Sequence, residues 1–338
     1  MTTRVGINGF GRIGRLVLRT IKARHPSEIE VVAINDLVDV ATNAHLLKYD
    51  SNYGRFDGDV RTTDGGIAID GRLIQVFAER DPAKIPWGDV KADIVIESTG
   101  FFTDATLAAA HRHDSVKKVI ISAPAKNEDV TIVLGVNDEK YDPAKHHVIS
   151  NASCTTNGLA PPVKVLVEEF GLLKAQMTTV HAYTNSQQIL DRAGSKDLRE
   201  ARGGAMNIVP TSTGAARALR LVIPEVDGII DGLAYRVPTP TVSVVEVVAL
   251  VKKQTNRDEV NAALRHWAKE RMSGILDVTD DPVVSMDLKG NAHSSIIDGL
   301  STNVVAGDLV KVVSWYDNEW GYACRLADLA AMVASKGL

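Results

Sequence analysis

Residues 4–14, RVGINGFGRIG, hold an apolar run that breaks at Gly9 and resumes as a helical pattern, with Ile13, Leu16, Val17 and Ile21 on one face. A strand that turns through G-x-G-x-x-G straight into a helix leaves few folds open. Gly9 permits the tight turn, Gly11 lets backbone approach a pyrophosphate, and Gly14 lets helix and strand pack closely. The helix N-terminus then offers unpaired N–H groups to phosphate. The next apolar run, VVAIN, ends in Asp36, about 22 residues past Gly14, where a carboxylate can accept hydrogen bonds from an adenosine ribose. The turn and the acid together point to a dinucleotide.

Further short apolar runs follow: DIVIE, KVIIS and HVIS, with FTDATLAAAHRH reading as a helix between the first two. Strands alternating with helices predict a parallel, doubly wound sheet. Around GGIAIDGRLIQVF two hairpin-like strands predict an antiparallel extension. The second half reads differently. GLLKAQMTTVHAYT, DGIIDGLAYRV, TVSVVEVVALV and DLVKVVSWY are long strand candidates with few crossovers, which suits a mixed or antiparallel sheet. A helix is expected over 257–271, capped by Asn256 with Glu259 three residues on, and Val260, Ala263, Leu264 and Trp267 form its apolar face. Leu326, Leu329, Ala330 and Val333 mark a C-terminal helix expected to return to the first domain. Between these elements, 184–205 is long, polar and irregular, the kind of loop that usually carries function.

At 338 residues the chain is long enough for two domains. Its net charge of −4 gives no electrostatic reason to expect nucleic acid or an anionic membrane as partner. No run reaches membrane-spanning length and the first residues lack the apolar core of a signal peptide, so a cytoplasmic protein is expected. The two cysteines, Cys154 and Cys324, are too few for a disulfide framework or a multi-cysteine metal site, and no metal is expected.

Cys154 lies in NASCTTNG, where a strand hands over to a helix. A helix N-terminus stabilises thiolate, which predicts a lowered pKa and a nucleophile. Pro161 and Pro162 should kink that helix, because each lacks a backbone N–H. Cys324 reads as a core residue. Of the nine histidines, His111, His113, His146 and His147 sit in charged stretches and are expected to be solvated. His181, at the end of MTTV and before the long loop, reads either as a satisfied core histidine or as the base a cysteine nucleophile needs. Thr184, Arg199, Arg202, Thr211, Ser212, Thr213, Gly214 and Arg236 supply hydroxyls and guanidinium forks suited to phosphate, and TSTG precedes a further helix.

Together these stretches resemble the phosphorylating glyceraldehyde-3-phosphate dehydrogenases. NGFGRIGR, ASCTTN, HAYTN, PTSTGAA, RVPTPT and SWYDNEWGY occur in that family's order and spacing across the whole chain. The resemblance implies an α/β fold: a Rossmann doubly wound parallel sheet over 1–153 that binds NAD, and an α+β catalytic domain over 154–317 with a mixed, largely antiparallel sheet. The segment 318–338 would pack back onto the first domain, and the assembly would be a homotetramer. It implies glyceraldehyde 3-phosphate and inorganic phosphate as the small-molecule partners, with no nucleic acid or membrane. Carried over by position, Cys154 would be the nucleophile and His181 the base. Thr184 and Arg236 would hold the substrate's phosphate, while Ser153, Thr155, Arg199, Thr213 and Gly214 would hold the inorganic one. Besides Gly9, Gly11 and Gly14, the dinucleotide would meet Arg12, Ile13, Asp36, Arg80, Ser122 and Asn318, with Tyr322 near the nicotinamide. The chain departs from the pattern at Ser186, an Asp in many bacterial members, and at Gly158, often a second cysteine.

Overall fold

A computed structural model describes residues 2–193 and 197–338, and the chain divides into two compact units. The first comprises the chain up to Ile132, Glu139–Ala152 and Ala323–Leu338; the second comprises Val133–Asp138 and Ser153–Tyr322.

In the first unit the strands are β1 (Thr3–Asn8), β2 (Ile29–Asn35), β3 (Tyr49–Asp50), β4 (Gly54–Arg55), β5 (Val60–Thr63), β6 (Gly66–Ile69), β7 (Arg72–Phe77), β8 (Ile94–Glu97), β9 (Lys118–Ile121), β10 (Val130–Thr131) and β11 (Val148–Ser150). Helices α1 (Arg12–Arg24), α2 (Val40–Lys48) and α3 (Ala105–Ala108) run between them. Nine strands form one sheet in the order β10-β11-β9-β8-β1-β2-β7-β6-β5, and β3 and β4 make a separate ribbon. From β10 to β7 every pair is parallel; β6 and β5 add on antiparallel, the hairpin extension expected from GGIAIDGRLIQVF. Val5–Asn8, β8 and β9 are buried throughout, as strands covered on both faces must be. Chain order runs one way from β1 to β2 and the other way from β1 to β8. Beyond the carboxyl ends of β1 and β8 lies the switch point where ligands bind in such sheets. The helix expected over 102–113 is shorter than its pattern. Asp104 accepts the Thr106 N–H as a cap, four residues are α-helical, and a tight 3₁₀ turn ends at His111.

The second unit contains α4 (Cys154–Val165), β12 (Leu172–Ala182), β13 (Val209–Ser212), α5 (Ala215–Val222), β14 (Ile230–Val237), β15 (Ser243–Val251), α6 (Arg257–Glu270), β16 (Leu276–Thr279), β17 (Ser295–Asp298), β18 (Asn303–Val305) and β19 (Leu309–Tyr316). Its sheet runs β13-β14-β12-β15-β19-β17-β16, with β18 paired to β19. The pairs β12–β14 and β16–β17 are parallel and the others antiparallel, so the sheet is mixed. Strict alternation in β15 and β19 buries Val245, Val247, Val310, Val312 and Tyr316 on one face, and α4 packs there. At Gly158 a Cβ would come within 3.0 Å of the Tyr316 ring, so the missing side chain lets helix and strand approach. Pro161 and Pro162 do not end α4. Both are buried, the helix continues to Val165, and a wider π turn over Leu166–Phe170 closes on Gly171 at φ 67°. Tertiary burial here outweighs the two lost backbone hydrogen bonds. Helix α6 starts as expected, with the Asn256 side chain accepting the Glu259 N–H at 3.0 Å.

The last helix, α7 (Trp320–Lys336), belongs from Ala323 onward to the first unit. Leu326, Leu329, Ala330 and Val333 are fully buried, and the Thr20 hydroxyl of α1 donates to the Ala323 carbonyl at 3.1 Å.

Candidate active site and glycine turn

In the second unit Ser153 caps α4, its hydroxyl accepting the Thr156 N–H at 3.0 Å, which leaves Cys154 as the first helical residue. His181 comes from the end of β12, and its Nε2 lies 3.5 Å from Cys154 Sγ. Arg236 is its register partner on β14; Arg236 Nη1 stands 2.5 Å from His181 Nδ1 and 3.3 Å from the Ala182 carbonyl. The same Nδ1 is 2.7 Å from the Ala182 carbonyl. Arg236 Nε is buried with no hydrogen-bond partner, a guanidinium edge open to an anion. Behind the pair, buried Tyr316 sets its hydroxyl 2.9 Å from both Thr155 and Thr179, with its ring edge-on to His181.

The electrostatics differ from the expectation of a lowered thiol pKa. Burial pushes the Cys154 thiol up, and Arg236 and the hydrogen bonds from Thr155 pull the other way without overcoming it. Burial, then Arg236, push His181 down to about 3, and the hydrogen bond to Ala182 offsets only part of this. Thiol and imidazole are thus both held uncharged near neutral pH.

The remaining phosphate candidates are distributed as follows. Thr184 donates its N–H to Gln187 Oε1 at 2.7 Å, and its hydroxyl sits 3.0 Å from that of Ser186. Thr213 accepts the Ala215 N–H, and Gly214 caps α5. Arg199 is exposed, its backbone N–H on Asp197, and no hydrogen bond or ion pair among the described residues links it to Cys154, His181 or Arg236. In 184–205 the described residues form no helix or strand, while 194–196 lie outside them. Asn318 is buried and accepts the Ser243 hydroxyl at 2.9 Å; Tyr322 is buried in the first turn of α7.

In the first unit the three glycines behave as their spacing predicts. Gly9 has φ 87°, and a Cβ there would meet Thr99 N at 2.7 Å; at Gly14 it would overlap the Gly9 carbonyl. At Gly11 a Cβ would have nothing within 4 Å, so its absence opens a cradle on the turn. That cradle, at the start of α1, fits a pyrophosphate. Asp36 accepts the Phe10 N–H at 2.7 Å and the Val38 N–H at 2.9 Å, which ties the turn to the end of β2. Arg12 pairs with Asp50 at 2.5 Å and Ile13 is half-buried beside it. Arg80 is exposed, and Ser122 donates its N–H to the Glu97 carbonyl at 2.9 Å. No group of three metal-ligating side chains occurs among the described residues, nor any helix long and apolar enough to cross a membrane.

Two family models match: the NAD binding domain of glyceraldehyde 3-phosphate dehydrogenase over residues 3–105, and its C-terminal domain over 153–318. A glyceraldehyde-3-phosphate dehydrogenase of Geobacillus stearothermophilus is 58% identical over 338 residues, all of both chains. One from Bacillus subtilis (strain 168) is 56% identical over the same 338 residues. The chain belongs to the glyceraldehyde-3-phosphate dehydrogenase family. It is accordingly an NAD-dependent dehydrogenase with that family's pair of α/β domains.

Two groups escaped the sequence reading. Tyr316 stands in the sequence only within the strand candidate DLVKVVSWY and the stretch SWYDNEWGY, neither of which assigns it a role. His111 is a correction: expected to be solvated among charged neighbours, it is fully buried, because the short turn after α3 points it inward against Trp87 and Glu97. Cys324 is fully buried, as expected of a core residue.

Proposed function

We propose that this chain oxidises D-glyceraldehyde 3-phosphate to 1,3-bisphosphoglycerate with NAD and inorganic phosphate, through a thioester on Cys154. The 3.5 Å approach of Cys154 Sγ to His181 Nε2 carries the reading. His181 takes the thiol proton at Nε2, and the thiolate adds to the aldehyde carbon. The imidazolium gives that proton to the new oxyanion and recovers it as hydride leaves the hemithioacetal carbon. The Cys154 N–H, at the open end of α4, helps hold the oxyanion. Bound nicotinamide supplies the acceptor for the hydride. Inorganic phosphate then attacks the thioester carbonyl, and the Cys154 thiolate leaves. For His181 to take a proton at Nε2, its Nδ1 must carry the other hydrogen and donate it to the Ala182 carbonyl at 2.7 Å, so Arg236 Nη1, a donor 2.5 Å from that Nδ1, must turn from it to the substrate's phosphate.

Arg236 and Thr184 receive the substrate's phosphate in this scheme. An anion on Arg236 neutralises one of the two causes that hold His181 uncharged, so substrate binding readies the base. Ser153, Thr155, Arg199, Thr213 and Gly214 receive the inorganic phosphate. Arg12, Ile13, Asp36, Arg80, Ser122, Asn318 and Tyr322 serve the dinucleotide with the three glycines. Residues 1–153 with 318–338 form the NAD-binding domain and 154–317 the catalytic domain. The protein works in the cytoplasm as a homotetramer. Supporting assembly, Ile189, Leu190, Leu198, Met206 and Ile208 are each more than two-thirds exposed, an apolar surface a monomer would rarely leave open.

NADH absorbance with glyceraldehyde 3-phosphate tests the reading. Turnover should require phosphate, a single burst should appear without it, and iodoacetate should abolish activity in step with labelling of Cys154. Sustained phosphate-independent turnover to 3-phosphoglycerate, or inactivation that tracks Cys324, refutes it.

A further inference from the structure

Under the glycine turn lies a buried polar chain that the proposed reaction does not use. Glu97, the last residue of β8, is 2% exposed, and four donors converge on its carboxylate. They are the Asn8 side-chain amide at 2.5 Å, His111 Nε2 at 3.1 Å, the Thr99 N–H at 2.8 Å and the Thr99 hydroxyl at 2.5 Å. His111 accepts the Trp87 indole N–H at Nδ1, 3.1 Å away, which places its own ring hydrogen on Nε2, facing Glu97. On the other side Asn8 Oδ1 accepts from Asn35 at 2.8 Å, and Asn35 grips Glu79 through both its N–H and its carbonyl. Glu79 in turn accepts the N–H groups of Arg80 and Asp81. The Ser98 hydroxyl reaches the Asn8 and Gly9 carbonyls at 3.0 and 2.7 Å.

Apart from the arm through His111 to Trp87, the network's branches reach loops at the carboxyl end of the sheet. Asn8 precedes the glycine turn after β1, Asn35 closes β2 beside Asp36, Glu79 opens the loop after β7, and Thr99 sits in the loop after β8. Backbone hydrogen bonds from Gly9 to Asn35, from Asp36 to Phe77 and from Ser98 to Asn8, with Asp36 on the Phe10 N–H, join neighbouring loops pairwise. The buried network adds side-chain links that connect all four.

We propose that Glu97, His111 and Asn8 are positioning residues for NAD, holding the loops after β1, β2, β7 and β8 at the separation the dinucleotide needs. The inference rests on the placement of the cofactor at that end of the sheet. The chemistry makes it sharp. Glu97 offers only acceptors to four donors, so Glu97→Gln points an NH₂ at another donor and forces the Thr99 segment or Asn8 to turn away. His111→Leu strips Glu97 of one donor and Trp87 of its acceptor. His111→Gln keeps a donor and an acceptor on one side chain and should restore the arrangement.

Calorimetric titration of the full chain with NAD, alongside iodoacetate labelling of Cys154 without cofactor, tests this. Glu97→Gln and His111→Leu should weaken NAD about tenfold or more, and His111→Gln by no more than about threefold, while the alkylation rate of Cys154 stays within about twofold. A lowered melting temperature with an unchanged Kd for NAD means a merely structural role and overturns the proposal. Where His111→Leu does not fold, Trp87→Phe removes only the indole donor that sets the His111 tautomer; about threefold weaker NAD supports the proposal and an unchanged Kd overturns it. Gly11→Val separates the two readings. NAD binding that survives it removes the placement of the cofactor and the inference with it. Binding lost there but intact in Glu97→Gln and His111→Leu overturns the inference alone.

Discussion

Asp328 on α7 accepts from Arg24 through two hydrogen bonds at 3.0 Å, from His25 Nε2 at 2.7 Å, and pairs with the fully buried Arg325 at 2.6 Å. It is the electrostatic clasp between α1 and the C-terminal helix. Burial alone would raise its carboxyl pKa. The His25 hydrogen bond, Arg325 and Arg24 outweigh that and hold it down to about 2. Against an ordinary 3.8, a depression of this size corresponds to about 2 kcal/mol of folding stability at neutral pH. Asp328→Asn also leaves Arg325 buried beside an uncharged amide, and breaking such a pair costs about 3–5 kcal/mol. Urea unfolding at pH 7 should therefore show the variant less stable by about 2–4 kcal/mol. Because the folded pKa is the depressed one, this contribution is complete above the unfolded pKa and is lost as pH falls towards about 2. The gap between the two proteins should narrow by about 1 kcal/mol between pH 6 and pH 3. His25 titrates with the opposite sign. The Asp328 hydrogen bond outweighs burial and raises its pKa, so its share is full below the ordinary value of 6.5 and fades as pH rises through the folded one. A gap under about 1 kcal/mol at pH 7, or one that does not change down to pH 3, would show that the cluster does not clasp the helices as argued.

Tyr316→Phe removes the hydroxyl shared by Thr155 and Thr179 and leaves the buried Thr155 hydroxyl without that partner; denaturation should show a loss of about 1–3 kcal/mol, and an unchanged midpoint would mean water replaces the hydroxyl at no cost. For Asp36, kcat/KM should favour NAD over NADP at least about tenfold, since the carboxylate repels a 2′-phosphate. Asp36→Ala should relax that preference and weaken NAD, more so because the Phe10 N–H loses its acceptor; equal kcat/KM values in the unmodified protein would place the ribose elsewhere.

Much of the architecture is written in short range. The G-x-G-x-x-G turn is legible because the positive φ of Gly9 and the contact of Gly14 with the Gly9 carbonyl act within six residues, although the close approach of Gly9 to Thr99 exists only in the folded chain. Period-two patterning marks β15 and β19, and Asn256 announces α6, for the same reason: partner and signal lie within one turn or one strand. The serine cap that leaves Cys154 at a helix start is equally local.

Other features exist only once distant segments meet. His181 faces Arg236 because β12 and β14 pair in parallel register across 55 residues of chain, and no periodicity within either strand encodes that register. The direction of the Cys154 shift was misjudged from sequence, because a helix N-terminus is a local feature and desolvation is a sum over everything packed around the sulfur. His111 differs for a related reason: flanked by Arg112 and His113 it reads as solvated, yet a four-residue helix and a 3₁₀ turn carry it inward to Trp87 and to Glu97 at the end of an interior strand. Short-range signals are enough to set out most of the elements and to mark where a nucleophile and a phosphate cradle can stand. Tertiary structure alone decided which side chains share a proton and which charges lose their water, since both depend on neighbours contributed by remote parts of the chain.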